Sequence, residues 1–426
     1  MLTIAATLVF VVAYAFIASE KFNRVAVVSA GAAAMILLGA TDASSAFYSH
    51  ETGIDWDVIF LLLGMMIIVS VIHKTGLFEF LAVKAIHWAK GNPRTTFVYI
   101  LILVSIASAI LDNVTTILLA VPMTFLIADK LRVNPIPFIL SEVFVSNIGG
   151  AATLIGDPPN IIIASKAGLD FNEFLIHMAP LAVAALVVII PMLLFFFRTQ
   201  LTNTVDDRTE VLKLVPSSFI TDRNLLVKSL AVLTIVIVGF VLHTLLHLEP
   251  SLIAMMGAGL LVLISGLKPA EFAMDVEWGT LVFFAGLFIM VGSLVNVGAL
   301  ELLAETLADF VGDDSRLAAG ALVLASALVS GIVDNIPYVA SMIPVVQHLV
   351  EVLPPSGNDG LWWALAFGAD FGGNLTIIGA SANVVAIGLA HARGIRISFW
   401  YFFRYGLPVT VVSVGMALPY VLFRYF

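Results

Sequence analysis

The sequence predicts an all-α, polytopic membrane protein built from two repeats of opposite orientation. Hydrophobic residues make up 61% of the 426 residues, and charged residues only 12%. A water-soluble protein of this length has no core large enough to bury so much apolar surface. The chain also carries one set of spaced motifs twice, as expected for a transporter made of two structural repeats.

The repeat appears as a constant offset between matching residues. Asp112 and Asn113 recur 222 positions later as Asp334 and Asn335. A glycine-rich segment, 149–160, recurs at 372–383 with an offset of 223. Further matches at an offset of 222 precede both motifs: Trp56, Gly64, Gly76 and Glu79 correspond to Trp278, Gly286, Gly298 and Glu301. We predict a first repeat over 1–198, a linker over 199–223 and a second repeat over 224–426.

Eight apolar runs are long enough to cross a bilayer as single helices. The first is predicted to be a retained helix, because it lacks the basic start and small-residue cleavage site of a signal peptide. The predicted spans are 2–19, 25–42, 57–73, 174–197, 225–245, 251–267, 279–296 and 399–423.

Four other apolar regions are interrupted by polar residues or glycines. The regions 96–128 and 317–351 are broken in the middle by an Asp-Asn pair, and each is longer than one span requires, so we predict two re-entrant hairpins. The regions 136–168 and 361–391 carry the glycine-rich segments, and we predict two broken helices whose unwound centres face protein or a cavity. The prediction totals about ten transmembrane helices, two hairpins and two broken helices.

The lysines and arginines orient this arrangement. With both termini outside, seventeen of the twenty basic residues lie on or near one face, and only Lys166, Arg316 and Arg424 lie on the other. This asymmetry predicts a cytoplasmic linker in a cell (inner or plasma) membrane protein. An odd number of crossings in the first repeat requires the second repeat to enter the membrane inverted.

Four aspartates are predicted inside the membrane region, where ionisable groups are costly and usually functional. They are Asp112 and Asp334 at the hairpin tips and Asp157 and Asp370 in the broken helices, and Glu142 is a weaker fifth candidate. We expect no lysine or arginine at similar depth. Such a site favours protons or cations over free anions.

Each of these acids also has a structural interpretation. Asp112 and Asp334 precede predicted helices and are good N-caps. Asp157, followed by two prolines, belongs to a helix-breaking loop. The hydroxyl of Ser141 or Ser146 is a candidate partner for Glu142.

The broken helices are not chemically equivalent. Asp157 corresponds to Ala380 in the second repeat, and Asp370 corresponds to Asn147 in the first. Each broken helix therefore contributes one carboxylate, from opposite sides of its glycine pair. Asn147 joins the candidate binding residues through this correspondence.

Four motifs resemble those of the ArsB/NhaD permease family of ion transporters, closest to the branch of the mammalian P protein. They are Leu111-Asp112-Asn113-Val114-Thr115-Thr116, the segment 147–160, Asp334-Asn335-Ile336-Pro337 and Ile378-Gly379-Ala380-Ser381-Ala382-Asn383. A more distant similarity is to the divalent-anion/sodium symporters. There a serine precedes the tip asparagine, whereas this chain has Asp112 and Asp334, which disfavours a di- or tricarboxylate substrate.

The resemblance implies an elevator-type transporter, as a homodimer, with binding residues at the tips and in the loops. A sodium site is implied at Asn113, Thr115, Asp157 and Asn335. The full set implied is Asp112, Asn113, Thr115, Asp334 and Asn335 at the tips, and Gly150, Thr153, Asp157, Asn160, Gly373, Asn374, Thr376 and Asn383 in the loops.

We predict an ion-coupled secondary transporter, with proton-coupled efflux of arsenite or antimonite as the leading function. A sodium/proton antiporter and an anion transporter or channel of the P protein type are the alternatives. An aspartyl protease is disfavoured, because the paired aspartates lie in equivalent tips and not in a catalytic dyad. We expect no cofactor, no nucleic-acid partner and coupling to protons or sodium; without a nucleotide-binding motif, any ATPase would be a separate subunit. The chain has no cysteine, which excludes disulfides and thiolate chemistry.

Overall fold

A computed structural model describes residues 1–19, 21–201, 212–312, 314–353 and 359–426. These ranges contain twenty α-helices and two short 3-10 helices, and no strand occurs in them. The predicted all-helical fold is confirmed. Residues 202–211 of the predicted linker lie outside the described ranges.

Ten helices precede the linker. They are α1 (Leu2–Ala18), α2 (Arg24–Leu37), α3 (Ala43–Tyr48), α4 (Trp56–His73), α5 (Leu77–Trp88), α6 (Pro93–Ile110), α7 (Asn113–Leu131), α8 (Ile136–Gly150), α9 (Pro158–Ala167) and α10 (Phe171–Phe197).

Ten more helices follow the linker. They are α11 (Arg223–Leu246), α12 (Pro250–Ser265), α13 (Pro269–Ala273), α14 (Trp278–Asn296), α15 (Ala299–Val311), α16 (Ser315–Ser330), α17 (Asn335–Val352), α18 (Gly360–Gly372), α19 (Ser381–Ala392) and α20 (Phe399–Tyr425).

Five of the eight predicted spans are helices long and apolar enough to cross a membrane, and the other three, α1, α2 and α12, are shorter apolar helices. Seven described helices are long and apolar enough to cross a membrane, namely α4, α6, α7, α10, α11, α14 and α20. The predicted hairpin over 96–128 is two helices, α6 and α7, of 18 and 19 residues. Each is long enough to span by itself, so the re-entrant path of this pair stays a prediction.

Both predicted broken helices are interrupted at their glycines. The first stops at Gly150, and α9 begins at Pro158 with a proline in its first turn. Proline is well accommodated there, since the first turn has no intrahelical acceptor for its missing N–H. The two prolines therefore start a helix, where the sequence had suggested that they only prevent one. In the second repeat, α18 stops at Gly372 and α19 begins at Ser381.

Glycines let each broken helix pack at backbone distance against the helix before the tip. A Cβ on Gly149 of α8 would lie 2.4 Å from the carbonyl oxygen of Ser105 on α6. A Cβ on Gly372 of α18 would lie 2.5 Å from the carbonyl oxygen of Ala327 on α16. Small residues at helix contacts are how membrane helices approach closely, and this approach brings each loop up to its neighbouring tip.

We expect Gly149→Ala to lower the free energy of unfolding by about 1–3 kcal/mol, because the added methyl group overpacks the contact with α6. Thermal unfolding of the purified protein in detergent measures this. Gly415→Ala on α20 is the matched control, since its Cβ would meet no atom within 4 Å, and alanine favours helix. Equal melting temperatures for the two variants would contradict the predicted close contact.

Candidate functional site

The two tip asparagines meet at Asp157. Asn113 and Asn335 are the first residues of α7 and α17. The Asn113 amide donates to Asp157 Oδ2 at 2.7 Å. The Asn335 amide lies at 3.4 and 3.3 Å from Asp157 Oδ1 and Oδ2. One carboxylate in the first broken helix thus accepts hydrogen bonds from the tips of both repeats.

Asn147 connects this group to the second broken helix. Its Oδ1 accepts from the Asn113 amide at 3.3 Å. Its Nδ2 donates to Asn374 Oδ1 at 3.0 Å and to Asn383 Oδ1 at 2.9 Å. All four asparagines are buried. The result is a continuous amide network across the two halves of the chain.

Two further hydrogen-bond sets shape the loops in parallel ways. Asn160 and Asn383 each donate to carbonyls of their own loop, and Thr153 and Thr376 each donate to the carbonyl of a residue before the neighbouring tip. The distances are Asn160 to Gly150 3.5 Å and to Thr153 3.1 Å, Asn383 to Gly373 2.7 Å and to Thr376 2.8 Å, Thr153 to Ala109 2.6 Å, and Thr376 to Gly331 2.7 Å. Loop and tip are therefore fixed to each other in both repeats.

Asp112 and Asp334 do cap the helices that follow them. Asp112 accepts from the Thr115 backbone N–H at 2.7 Å and from its hydroxyl at 2.5 Å. Asp334 accepts from the Ile336 N–H at 3.0 Å and from the Ser381 hydroxyl at 2.5 Å. Thr115 thus contacts Asp112, whereas the other members of the predicted sodium set, Asn113 and Asn335, contact Asp157.

Asp370 is buried without a hydrogen-bond donor on either carboxylate oxygen. It lies close enough to Asp157 for the two charges to repel, and the Asn160 side chain is its polar neighbour. The Asn160 Nδ2 is already used by its own loop, and its Oδ1 has no donor either.

The cluster therefore has more unpaired acceptors than donors. Among the described residues, four buried acceptor oxygens in it lack a donor: both Asp370 carboxylate oxygens, Asn113 Oδ1 and Asn160 Oδ1. One buried donor, Asn374 Nδ2, lacks an acceptor. Unpaired buried polar groups are costly, so this arrangement suits a bound species that supplies positive charge or protons.

Glu142 lies apart from the cluster. It is fully buried on α8 and accepts a hydrogen bond from the Thr124 hydroxyl of α7. The candidate partners Ser141 and Ser146 do not bond to it, since the Ser141 hydroxyl has no partner in the described part of the chain and the Ser146 hydroxyl donates to Ser108 at 3.0 Å. The partner hydroxyl lies 18 residues away in the sequence, on the neighbouring helix α7. The residues next to Glu142 in the sequence do not indicate it.

One base does reach the acids, contrary to the sequence prediction. Arg24 Nη1 lies 3.9 Å from Asp334 Oδ2 and donates to the Ser381 hydroxyl at 2.7 Å. Arg24 begins α2 and is one of the seventeen basic residues predicted to lie on or near one face of the membrane. A long arginine side chain extends several ångströms from its helix position, and so the guanidinium reaches the tip.

A second residue, Glu277, was also missed. It immediately precedes α14. The Asp112 carboxylate repels its negative charge, and the Arg24 guanidinium attracts it. One of its oxygens, Oε1, is buried without a donor. A single glutamate at the start of a predicted span gives no sequence signal for this proximity.

We expect Asn147→Ala to lower the free energy of unfolding by about 1–3 kcal/mol, because it leaves buried partners on Asn113, Asn374 and Asn383 unpaired. Thermal unfolding in detergent is the measurement. The comparison variant is Asn172→Ala, which removes one exposed bond to the Val241 carbonyl and should cost less. An equal or larger loss in Asn172→Ala would contradict the role of Asn147 in connecting the halves.

Comparison with known proteins places the chain among transporters. The family model "CitMHS: Citrate transporter" matches residues 14–368. An uncharacterized transporter of Mycobacterium tuberculosis is 50% identical, over 100% of this chain and 99% of its own length. The 46 kDa membrane protein of Mycobacterium leprae is 48% identical with the same coverage. The human P protein is 34% identical over 98% of this chain and 59% of its own length.

A solved structure has a similar fold. The crystal structure of the YdaH transporter from Alcanivorax borkumensis matches with a TM-score of 0.58 at 15% identity, over 85% of this chain and 84% of that one. At this identity the likeness concerns the fold, which is that of a membrane transporter. The family and relatives are transporters, and the protein is accordingly a multi-pass secondary transporter and not an enzyme. The chain belongs to the CitMHS citrate transporter family.

Proposed function

We propose that the protein is a cation-coupled secondary transporter that exchanges protons for a small monovalent cation at the cluster of Asp157 and Asp370. The observation that carries this proposal is the excess of unpaired acceptor oxygens in the cluster. Burying such oxygens without a partner is unfavourable, and a proton or a sodium ion removes the penalty.

Asp370 is the proposed proton-loading group. Within the described chain, both of its carboxylate oxygens are buried without a donor, so a proton removes the cost of burying an unpaired charge there. The proton also removes the repulsion between Asp370 and Asp157.

Asp157 is the proposed cation-binding group. It is the carboxylate where both tips converge, with the amides of Asn113 and Asn335 on it. A proton on Asp370 lowers the negative charge around Asp157 and so weakens cation binding there, and the two species therefore compete for the one cluster. Competition at one site is sufficient for exchange. The proposal includes no organic cofactor.

Efflux of arsenite or antimonite is the second candidate. The undissociated oxyacid is a neutral triol, and its three hydroxyl donors also match the surplus of acceptors in the cluster. The motif resemblance to the ArsB/NhaD permeases favours the same substrate. This candidate needs no thiolate, in keeping with the absence of cysteine.

A free tricarboxylate such as citrate, named in the family description, suits the cluster less well. The charges of Asp370, Asp334 and Asp112 repel that of Asp157 there, and Asp112 also repels Glu277. Arg24 is the base that forms an ion pair with one of them in the described chain. We also propose the sidedness given by the basic residues, with both termini outside, and elevator motion in a homodimer, the arrangement implied by the motif resemblance.

The deciding experiment uses purified protein in liposomes with a trapped pH dye and an imposed proton gradient. Sodium, lithium, arsenite and citrate are added in turn. We expect proton movement with sodium or lithium. Movement with arsenite alone would replace cation exchange by metalloid efflux. Movement with citrate alone, or with none of the four, would overturn both candidates.

We expect Asp157→Asn and Asp370→Asn to reduce cation-driven proton movement to the level of empty liposomes, because an asparagine side chain neither carries a negative charge nor binds a proton near neutral pH. The same assay measures it, with thermal unfolding to verify that both variants fold. Asp129→Asn, an exposed acid near the end of α7, is the matched control and should keep full activity. Coupled flux in either buried variant would remove that residue from the proposed site.

A further inference from the structure

A surface cavity shares lining residues with a small inner pocket beside the tip aspartate Asp112. Its outer part has a volume of about 490 Å³ and is lined by Asn23, Arg24, Val25, Glu277, Gly279 and Thr280. A narrow inner pocket of about 10 Å³, hardly room for one water molecule, continues from it. The two parts share Arg24, Glu277 and Thr280, and the inner pocket also contacts Asp112 and Ser381.

Arg24 lies where the wide part becomes narrow. Its guanidinium contacts the Ser381 hydroxyl at 2.7 Å and faces Asp334 at 3.9 Å, and the Phe283 ring lies 5.5 Å away. A guanidinium has five N–H donors, and its ion pair with Asp334 is at the long end of the range. The side chain is 37% exposed. It is held by few contacts and opens onto the outer cavity.

Glu277 offers Arg24 a second place to bind. Its Oε2 accepts from the Thr280 hydroxyl at 2.9 Å, while its Oε1 is buried without a donor. The charge of Arg24 acts on Glu277 in the present arrangement, as does that of Asp112. Arg24 and Glu277 both line the outer cavity and the inner pocket, so a guanidinium that leaves Asp334 has the vacant oxygen as an alternative partner.

We infer that Arg24 gates the inner pocket. Its guanidinium, a cation attached to the chain, moves between Asp334 and Glu277. In the unloaded state the guanidinium neutralises Asp334 and narrows the path. A cation that enters takes its place beside Asp334, and Glu277 Oε1 receives the guanidinium. The inference rests on the cation transport proposed above, and it assigns roles to two residues outside the Asp157 and Asp370 cluster.

The gate makes opposite predictions for its two residues. Arg24→Gln removes the internal competitor, so the half-saturating sodium or lithium concentration should fall about tenfold, a usual size for coupling between sites. Glu277→Gln removes the alternative partner, so that concentration should rise about tenfold. Liposome flux at a series of cation concentrations measures both. Arg24→Lys keeps the positive charge and should stay near the wild-type value.

The double variant separates gating from simple attraction of cations by Glu277. If Glu277 acts through Arg24, Arg24→Gln combined with Glu277→Gln should behave like Arg24→Gln alone. Additive effects, or shifts of the same sign in the two single variants, would overturn the gate. Arg396→Gln, an exposed arginine elsewhere, controls for loss of surface charge and should change nothing.

Accessibility tests the gate without any transport. Since the chain has no cysteine, Gly279→Cys in the outer cavity and Met66→Cys in the inner pocket give unique reporters. We expect a membrane-impermeant methanethiosulfonate to modify the outer cysteine quickly and the inner one slowly. Adding Arg24→Gln should speed only the inner reaction.

Equal inner rates with and without Arg24 would overturn the gate, whatever the flux assay shows. Failure of the proposed function is seen differently, as wild-type liposomes in which no cation moves protons.

Discussion

The hydrogen bonds that converge on Asp157 are the constraint on which the rest of this structure depends. Asn113 and Asn335 come from equivalent positions in the two halves, and both donate to that one carboxylate. Asn147 then extends the network to Asn374 in the second broken helix. A buried amide or carboxylate is expensive unless it is paired, so the helices must place these side chains within hydrogen-bond distance or lose several bonds together.

The cluster has fewer hydrogen-bond donors than acceptors. Its paired side chains hold the loops together, and its unpaired oxygens are the proposed binding groups. The asparagines of the network are mutually satisfied in most of their bonds, whereas Asp370 has none. The repeats supply similar scaffolds but different acids, since Asp157 follows one glycine pair and Asp370 precedes the other. The corresponding loops of the two halves therefore carry their carboxylates at different positions, and the charge distribution of the cluster is asymmetric.

The sequence predicted those features that depend on local chemistry and failed for those that depend on side-chain reach. Apolar length, glycine pairs and Asp-Asn motifs located the helices, the breaks and the members of the cluster, because each of these signals consists of residues close together in the sequence. Arg24 was predicted only to lie on or near one face of the membrane, since nothing along the chain shows that its guanidinium extends to Asp334. Thr124 as the partner of Glu142 was unpredictable for the same reason.

The backbone contact at Gly149 has a mechanical consequence. Because α8 touches the α6 backbone there, and the Thr153 hydroxyl holds the Ala109 carbonyl, tip and loop have no freedom to slide past each other. Any displacement of the tip carries the loop with it as one rigid lever. Such a displacement would change the contacts between this unit and the neighbouring helices, such as the ion pair of Lys166 with Asp55, 3.6 Å apart. A transport movement that kept these contacts would therefore keep the geometry around Asp157.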